Sequence, residues 1–568
     1  MNSDNTRKIL IASWRGAIRS CSRACALPER SRCKNHRKVA NTVQRFAWSW
    51  HYGWFSICTG LSVLHSSLCM QPRTQELFWA LDVLDEVEKQ AATLPPARMY
   101  ALPEGIVPSK TFNMAPTLDP TPACPLLNIM TCDQNNQEAI LRTALQKYSC
   151  NVEFGTQLAT FTHDAHGVDA TIIDQNGQEE TKRYDFLIGA DGARGVVRKT
   201  LSFNFIGESR PSVKIIIADI VVEGIDEDHW HMFGEASADS VFLRPTGTPG
   251  LFALSLTKCG PEVDYDRLMK DRHFLQEAIV AITGRTAIKV TEVVWISRWS
   301  PNIRMVDKFS DGRCFLVGDA AHTHSITGGQ GLNSSVQDSF NLAWKLALVL
   351  KGLAPMTLLD SYNDERVPVI TEMINKTTAL LNKTIGASAV AGDTARWNRG
   401  GPLLMLGVNY RWSSIVVDEQ ADDVAANAPK DPYGSQNHGL KAGDRAPDAP
   451  ELRDIHGGRS SVHLFDVFDA SRHTVLAFSA LPEPWDSILA VLSQYPQAPV
   501  RSVAIVPSGV TSADIRGPDI FEDTQGHAYS NYCFEGGCNV AVVRPDGVLG
   551  AVVRTPEALE RYFGRIFA

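Results

Sequence analysis

The chain has 568 residues, of which 44% are hydrophobic and 21% are charged, and its formal net charge is −8. This length allows two to four domains with a large apolar core, and the mild acidity argues against a nucleic acid partner. The cysteines beyond residue 70 are scattered and odd in number. They argue against a disulfide framework and favour a reducing, cytoplasmic location.

The first 70 residues differ in composition from the rest of the chain. They contain eleven Lys and Arg against two acidic residues, a balance of +9 within a chain of net charge −8. Three explanations are open: a translated intron or shifted reading frame, an arginine-rich organelle-targeting segment, or a basic interaction arm. The apolar stretch 54–70 includes a histidine and several serines, and it is too short and polar for a membrane span.

A short apolar run, Ile9–Ala12, predicts a first buried strand. Dinucleotide-binding folds follow their first strand with a G-x-G-x-x-G turn, because a pyrophosphate needs backbone N–H groups that no side chain obstructs. Here the run continues into Ser13–Gly16, and the other glycines before Met70 are isolated. The sequence therefore lacks the usual pyrophosphate turn at this place.

Two later apolar segments each end in a glycine and an aspartate. The first, Tyr184–Ala190, leads to Asp191-Gly192, and the second, Cys314–Val317, leads to Gly318-Asp319. A carboxylate at the end of a buried strand can accept hydrogen bonds from the hydroxyls of a sugar-like chain. Glycine lets the backbone N–H groups approach an anionic group. The pair of segments predicts one site for an anionic cofactor.

The second segment continues into a glycine-rich turn and a long helix. Gly328, Gly329 and Gly331 permit a tight turn, and the helix is predicted to begin near Leu332. Apolar residues then recur at near-helical spacing as far as Ala347, which predicts one buried face. The dipole of a helix held in this way favours negative charge at its amino terminus.

With these motifs in this order, the chain resembles the class A FAD-dependent monooxygenases, the aromatic hydroxylases that include p-hydroxybenzoate and phenol 2-monooxygenases. The resemblance covers most of residues 70–390. It implies an α/β fold in which a Rossmann-like FAD/NAD(P)-binding domain carries an inserted α+β substrate domain. It also implies FAD and NADPH or NADH as cofactors, with dioxygen as co-substrate.

The resemblance assigns cofactor contacts to residues of both motifs. The segment like Asp191-Gly192 reaches toward FAD and NADPH, and the segment like Gly318-Asp319 contacts the ribityl chain and pyrophosphate. At a helix start, Gln134 is similar to the family's glutamine that hydrogen-bonds the cofactor. The complete expected set is Gln134, Asp191, Gly192, Gly318, Asp319, Gly329, Gly331, Leu332 and Asn333.

Other positions either support the resemblance or depart from it. Segments 71–77 and 358–368 are similar to family segments and are expected to be packing elements. Ile326 stands where the family usually has proline, and Gly195 stands where it commonly has serine; both changes are expected to loosen local geometry. His322 and His324 have no third ligand in the sequence pattern, so we expect no metal site.

The middle of the chain is predicted to build a sheet over the substrate, with strands at 213–222 and 241–256. The carboxyl-terminal part has predicted strands at 462–467, 475–478 and 503–506 and a final helix through Tyr562, and it is similar to the thioredoxin-like tail of the phenol 2-monooxygenase branch. Its close cysteines, Cys533 and Cys538, have four residues between them rather than the two of a dithiol motif. We therefore expect a packing or homodimerisation role for this tail.

The predicted domains follow from these motifs and from a Gly-, Pro- and Asp-rich stretch that predicts a linker. They are an atypical basic segment (1–70), the first part of the FAD-binding domain (71–211), a substrate-binding sheet (212–299), the second part of the FAD-binding domain with its helices (300–430), the linker (431–450) and a thioredoxin-like domain (451–568).

The resemblance implies a reaction as well as a fold. NADPH would reduce FAD, dioxygen would add at the flavin C4a position, and the distal oxygen of this hydroperoxide would pass to an electron-rich ring, usually a phenol. The expected partner is therefore a small aromatic molecule. No motif identifies a catalytic base. The alternative is an inactive hydroxylase-like protein that fails to hold FAD because the glycine turn is missing.

Overall fold

The computed structural model describes residues 9–13, 17–20, 67–102, 105–260, 263–385, 394–419, 430–434, 439–458, 461–479, 483–509, 519–533 and 540–568. Within these ranges the chain forms 28 strands and 12 α-helices arranged around several sheets. No helix in the same ranges combines the length and the apolar character needed to cross a membrane.

The strands, in chain order, are β1 (Ile9–Ser13), β2 (Ala17–Ser20), β3 (Ser67–Met70), β4 (Ala92–Thr93), β5 (Ala97–Tyr100), β6 (Pro108–Phe112), β7 (Met130–Asp133), β8 (Gln157–His163), β9 (Val168–Ile173), β10 (Glu179–Tyr184), β11 (Phe186–Ala190), β12 (Phe205–Ser209), β13 (Ile215–Glu223), β14 (Trp230–Gly234), β15 (Ser240–Pro245), β16 (Leu251–Thr257), β17 (Lys289–Trp299), β18 (Asn302–Val306), β19 (Ser310–Asp311), β20 (Cys314–Leu316), β21 (His322–Thr323), β22 (Val417–Asp418), β23 (Leu452–Asp454), β24 (His473–Phe478), β25 (Val500–Pro507), β26 (Asp519–Asp523), β27 (Val540–Val543) and β28 (Leu549–Val553).

The helices are α1 (Pro72–Ala80), α2 (Leu84–Glu88), α3 (Gln134–Gln146), α4 (Val196–Thr200), α5 (Tyr265–Lys270), α6 (Arg272–Thr283), α7 (Gly331–Leu350), α8 (Ser361–Ile385), α9 (Leu464–Val467), α10 (Glu483–Leu492), α11 (His527–Tyr532) and α12 (Pro556–Ile566). Short 3-10 turns occupy Gly318–Ala320, Met356–Asp360, Ala395–Trp397 and Gly401–Leu404.

A five-stranded sheet in the order β19-β20-β11-β1-β2 lies at the centre of the cofactor half. The prediction of a first strand at Ile9–Ala12 is confirmed, since β1 pairs in parallel with β11 from Ile9 opposite Phe186 to Ser13 opposite Ala190. On its other side β11 pairs in parallel with β20. Every residue of β11 is buried, as expected for a strand covered on both faces of a parallel sheet.

A seven-stranded sheet in the order β17-β13-β16-β15-β14-β5-β6 forms the second layer. The single strand predicted at 241–256 was wrong: this stretch is a hairpin of β15 and β16, because residues 246–250 include Gly247, Pro249 and Gly250 and reverse the chain. The outer strands β5 and β6 come from before residue 211, so the sheet extends outside the predicted 212–299 segment.

Helix α7 passes through the interior, and the predicted start near Leu332 is confirmed by its beginning at Gly331. The prediction of one buried face was too narrow, because every residue from Gly331 to Leu350 is buried. Most of its polar side chains are tolerated because they are hydrogen-bonded or ion-paired inside the protein, for example Asp338 to Arg366 and Lys345 to Glu365.

The carboxyl-terminal sheet has the order β22-β28-β27-β24-β25-β26-β23, with β24, β25 and β26 parallel and β27 antiparallel to both of its neighbours. The strands predicted at 475–478 and 503–506 and the final helix through Tyr562 are confirmed. The strand predicted at 462–467 was wrong. This stretch contains helix α9, whose start is capped by the Asp466 carboxylate accepting from the His463 backbone N–H at 3.1 Å.

The stretch predicted as a linker is packed against both halves of the protein. Residues 442–449 are buried. Within this stretch the Arg445 guanidinium forms an ion pair with Glu76 of α1 at 2.9 Å, and the Gly443 N–H donates to the Leu549 carbonyl at 2.6 Å. The chain therefore crosses between the halves as part of the interior.

Candidate active site

The two Gly-Asp motifs lie at the same edge of the central sheet. Their strands β11 and β20 are parallel neighbours with Gly189 opposite Leu316, and the Val317 N–H donates to the Gly189 carbonyl at 3.0 Å. Because both strands run in one direction, Asp191 and Asp319 follow their carboxyl ends. Ligands in open α/β sheets bind at this edge, so the geometry supports the expected position of a cofactor.

The Asp191 side chain points into the protein. One carboxylate oxygen accepts from the Val197 N–H of α4 at 2.9 Å, and burial raises the pKa of this carboxyl to about 6, against the lowering effect of the backbone N–H groups. A Cβ added at Gly195 would lie 2.1 Å from Asp191 Oδ1. The glycine at 195 is therefore required by the place that Asp191 occupies, and this aspartate holds the start of α4.

The Asp338 side chain of α7 forms hydrogen bonds with the backbone and a side chain of the second motif. The Gly318 N–H donates to Asp338 Oδ2 at 3.0 Å, and the same oxygen lies 2.8 Å from His322 Nε2. The other oxygen accepts from Arg366 Nε at 2.7 Å. Burial acts to raise the pKa of Asp338, but the charges of Arg366 and His322 outweigh it and hold this pKa below its ordinary value.

This arrangement leaves Asp319 at the sheet edge, partly exposed, while its neighbour Gly318 has φ +57°. The left-handed backbone at Gly318 favours glycine, as it does at Gly192 with φ +74°. His324 follows with its Nδ1 2.6 Å from the Ser325 carbonyl, and burial lowers its pKa to about 4. No group of three metal-binding side chains occurs among the described residues.

The loop from Gly328 to Asn333 carries the remaining predicted cofactor residues of the second motif. Asn333 Oδ1 accepts from the Gln71 N–H at 2.8 Å and from the Thr74 hydroxyl at 2.6 Å. Its amide donates to the carbonyls of Cys69 and Gly329 at 2.9 and 2.6 Å. Asn333 thus joins the loop to β3 and α1, and its side chain makes four hydrogen bonds to protein.

Three further predicted residues have visible local roles. Gly331 is the first residue of α7, and Leu332 is buried in the apolar cluster that also contains Phe78. Gln134 is the first residue of α3, where its side-chain amide donates to Glu138 Oε1 at 3.2 Å. The cofactor contacts expected for these residues stay predictions.

A cavity of about 160 Å³ lies between the seven-stranded sheet and the loop that follows the second motif. One wall is the segment 326–329, including Ile326, which is 47% exposed. The opposite walls are mostly apolar and rich in aromatic rings, among them Trp230, Phe242, Trp299 and Trp397. Such a cavity has the lining expected for a planar organic ligand.

The residues at the sheet edge fit only part of a dinucleotide. Strand β1 ends beside β11 at the correct edge, but three residues separate it from β2, which returns antiparallel with Ala17 opposite Ser13. The antiparallel return of β2 differs from the strand, glycine turn and helix that present N–H groups to a pyrophosphate. The strand-end aspartates and the loop 328–331 fit a flavin cofactor, while the β1–β2 hairpin pairing is not the usual arrangement for its pyrophosphate.

The fold and site define a flavin-binding oxygenase architecture, and comparisons identify the family. A family model described as an FAD binding domain matches residues 60–377. A flavin-dependent monooxygenase of Mycobacteroides abscessus is 30% identical over 501 residues, which span 88% of this chain and 91% of that protein. The pentachlorophenol 4-monooxygenase of Sphingobium chlorophenolicum is 29% identical over 74% of this chain and 75% of its own length.

Solved structures share this fold. The flavin-dependent monooxygenase PieE, in complex with FAD and substrate, superposes with a TM-score of 0.76 at 22% identity, covering 99% of this chain and 100% of that chain. Aklavinone-11 hydroxylase with FAD and aklavinone gives a TM-score of 0.74 at 22% identity, covering 100% and 99%. This chain belongs to the FAD-dependent monooxygenases of class A, and the resemblance stated from its motifs is confirmed.

FAD is the cofactor of this family, and the comparisons give no support to an inactive hydroxylase-like protein. Three residues of the site were not assigned to it from the sequence: Asp338, Arg366 and Arg399. Asp338 carried a signal, since it is a carboxylate inside a helix of otherwise apolar spacing. Arg399 carried none, because only the folded chain brings it to the cavity.

Proposed function

We propose that this chain is an NADPH- or NADH-dependent flavin monooxygenase that hydroxylates a phenolic or other aromatic small molecule. The observation that carries the proposal is the aromatic-lined cavity bounded by the loop after Gly318-Asp319. Relatives whose printed names describe aromatic substrates, such as the pentachlorophenol 4-monooxygenase, support the substrate class. The oxygen-transfer route implied by the resemblance stays a prediction.

In this proposal Asp319 and the backbone around Gly329 hold the flavin beside the cavity. When bound, the flavin supplies the activation of dioxygen after reduction by the nicotinamide cofactor. The chain's own contribution is to seat the aromatic ring between Trp230, Phe242 and Trp397 and to exclude water from the reacting centre. Exclusion of water is supported by the small and mostly apolar cavity.

The test is a coupled assay on the purified full-length chain. We expect the visible absorption bands of an oxidised flavin, and oxidation of NADPH or NADH that accelerates when a phenol is added. Mass spectrometry of the product should find one added oxygen atom, derived from labelled dioxygen rather than water. Substrate-independent oxidation without any oxygenated product would contradict the hydroxylase assignment.

We also propose that residues 451–568 form a thioredoxin-like domain with a packing or homodimerisation role. The three parallel strands β24, β25 and β26 followed by antiparallel β27 and β28 support this assignment. Cys533 belongs to the described residues, whereas Cys538 lies outside them, so a dithiol function is not part of the proposal. Sedimentation of the purified chain tests the dimer: a single species with the mass of one chain would rule it out.

The cytoplasmic location also stays a prediction.

A further inference from the structure

One charged side chain, that of Arg399, stands among the described residues that line the cavity. Its position is fixed by the backbone, because the Arg399 N–H donates to the Met114 carbonyl at 2.7 Å. The centre of its guanidinium lies 5.6 Å from the centroid of the Trp397 ring. The Trp397 ring in turn meets Phe242 edge-on at 5.6 Å. The cation is therefore placed beside an aromatic slot.

The charge of Arg399 is not neutralised by any carboxylate of the described residues. Its Nη1 donates to the carbonyls of Arg396 and Asn398 at 3.3 and 3.2 Å, and no carboxylate in the described part of the chain forms an ion pair with it. The nearby Arg396 differs, because it is paired with Glu235. Burial lowers the pKa of Arg399 to about 10, which still leaves the group protonated at neutral pH.

An arginine held in this way favours an anionic oxygen. Hydrogen bonds between a guanidinium and a charged oxygen are roughly twice as strong as neutral ones, and a partly buried cation without a counter-charge is costly until an anion arrives. The apolar walls of the cavity lower the local dielectric and strengthen the attraction further. The Arg399 head group thus complements an aromatic ring that bears a negatively charged oxygen.

We propose that Arg399 selects an aromatic substrate carrying an anionic oxygen, either a phenolate or a carboxylate, and binds that oxygen directly in the cavity. The inference rests on the proposed hydroxylase function and names its substrate class. For a phenol, binding by Arg399 favours the ionised form, in which the ring is richer in electrons and a better acceptor of oxygen. For a carboxylate, the same contact orients the ring.

Calorimetric titration of the flavin-loaded protein tests this inference with three simple ring probes. They are 4-nitrophenol, titrated at a pH above its ionisation, 4-nitrobenzoate and uncharged nitrobenzene. We expect the unsubstituted protein to bind at least one of the anions at least about tenfold more tightly than nitrobenzene. Preference for the phenolate identifies a phenol as the substrate, and preference for the carboxylate identifies an aromatic acid.

The decisive variant is Arg399→Gln. It should weaken binding of the preferred anion about tenfold or more and leave nitrobenzene within about twofold, whereas Arg399→Lys should restore part of the loss. The matched control is Arg298→Gln, which removes an exposed charge next to the cavity residue Trp299. Flavin absorbance and the thermal midpoint report whether each variant is folded.

The outcomes separate this inference from the proposed function. If anions and nitrobenzene bind equally, or if Arg399→Gln weakens all three probes to the same extent, the anion-binding role is overturned while the cavity stays a ring site. If Arg399→Lys binds the preferred anion no better than Arg399→Gln, a charge-based role is overturned as well. If no probe binds the unsubstituted protein, the substrate cavity of the proposed function fails too.

Discussion

Glu365 of α8 and Arg544 of the carboxyl-terminal half form a fully buried ion pair with two parallel hydrogen bonds, 2.7 Å from Nη1 to Oε1 and 3.0 Å from Nη2 to Oε2. The same carboxylate contacts Lys345 at 2.8 Å. Burial acts to raise the pKa of Glu365, but the two cations outweigh it and hold this pKa far below its ordinary value. The pair fastens the carboxyl-terminal sheet to the cofactor half.

Replacing Glu365 with Gln should destabilise the protein strongly, because Lys345 would lose its buried counter-charge and Arg544 would keep only that of Asp546. Removing one partner of a buried pair costs about 3–5 kcal/mol. Urea unfolding followed by tryptophan fluorescence measures the change. Glu86→Gln is the control, since its ion pair with Lys89 is exposed on both sides and should change stability by less than about 1 kcal/mol. Equal effects of the two substitutions would contradict the clamp.

Asp338→Asn should destabilise the fold by about 3–5 kcal/mol, because Arg366 would be left buried with a neutral partner. It should also lower the flavin content, since the Gly318 N–H is held by the same carboxylate. Urea unfolding and the ratio of flavin to protein absorbance measure the two effects. The exposed Asp364→Asn on α8 serves as control and should cost less than about 1 kcal/mol.

Asp191→Asn should change how stability depends on pH. The folded-state pKa of about 6 lies above the ordinary 3.8, so the folded protein binds more protons than the unfolded chain between these values. Native stability therefore falls as pH rises from about 4 to 6, by up to about 3 kcal/mol. The side chain at position 191 of the variant cannot ionise. The unfolding free energy of the variant minus that of the unsubstituted protein should therefore rise between about pH 4 and pH 6 and then level off. The same difference at pH 4 and pH 7 would refute this assignment.

Asp319→Ala should lose bound flavin, because this partly exposed carboxylate is expected to accept hydrogen bonds from the cofactor's hydroxyls. Visible absorbance after desalting is the measurement. The control is Asp311→Ala, which removes a carboxylate of the β19–β20 hairpin that precedes Asp319 and that contacts Lys308 instead. Full yellow absorbance in Asp319→Ala would contradict the cofactor assignment.

Discrimination between FAD and FMN should be weak in this chain. Strand β2 pairs antiparallel with β1, where this fold usually has the glycine turn and helix that recognise the pyrophosphate. We expect dissociation constants for the two flavins within about tenfold, a difference of about 1.4 kcal/mol, by titration of the apoprotein with fluorescence detection. FAD binding tighter by about a thousandfold or more would locate a pyrophosphate site elsewhere in the chain.

Local sequence patterns were sufficient to predict the central strands and the residue near which α7 begins. The apolar runs ending in Asp191 and Asp319 specify buried strands, and the glycines near 330 specify a tight turn, because both signals depend on neighbouring residues alone. The sequence predicted a strand at 462–467, because its apolar run is typical of a strand. The structure has a helix there, which the capping contact between His463 and Asp466 stabilises.

The connections of the site were not predictable in the same way. Asn333 matches the family's cofactor motif, yet its four hydrogen bonds go to β3, α1 and its own loop, more than 250 residues away for three of them. The Asp338–Arg366 pair joins two helices, and Arg399 reaches the cavity only through the fold. Contacts of this kind depend on which segments meet in space, and no local period encodes them.

The first turn of α1 has a consequence for any shortened version of this protein. Gln71 and Thr74 grip the loop beside the cavity through Asn333, while Arg73 donates to the Asp546 carbonyl at 2.7 Å and Glu76 pairs with Arg445. Helix α1 therefore contacts both the loop beside the cavity and the carboxyl-terminal half of the protein. Truncation before the last sheet would remove the Asp546 and Arg445 contacts of Arg73 and Glu76, leave these two residues paired only with each other, and loosen the cavity wall at Gln71.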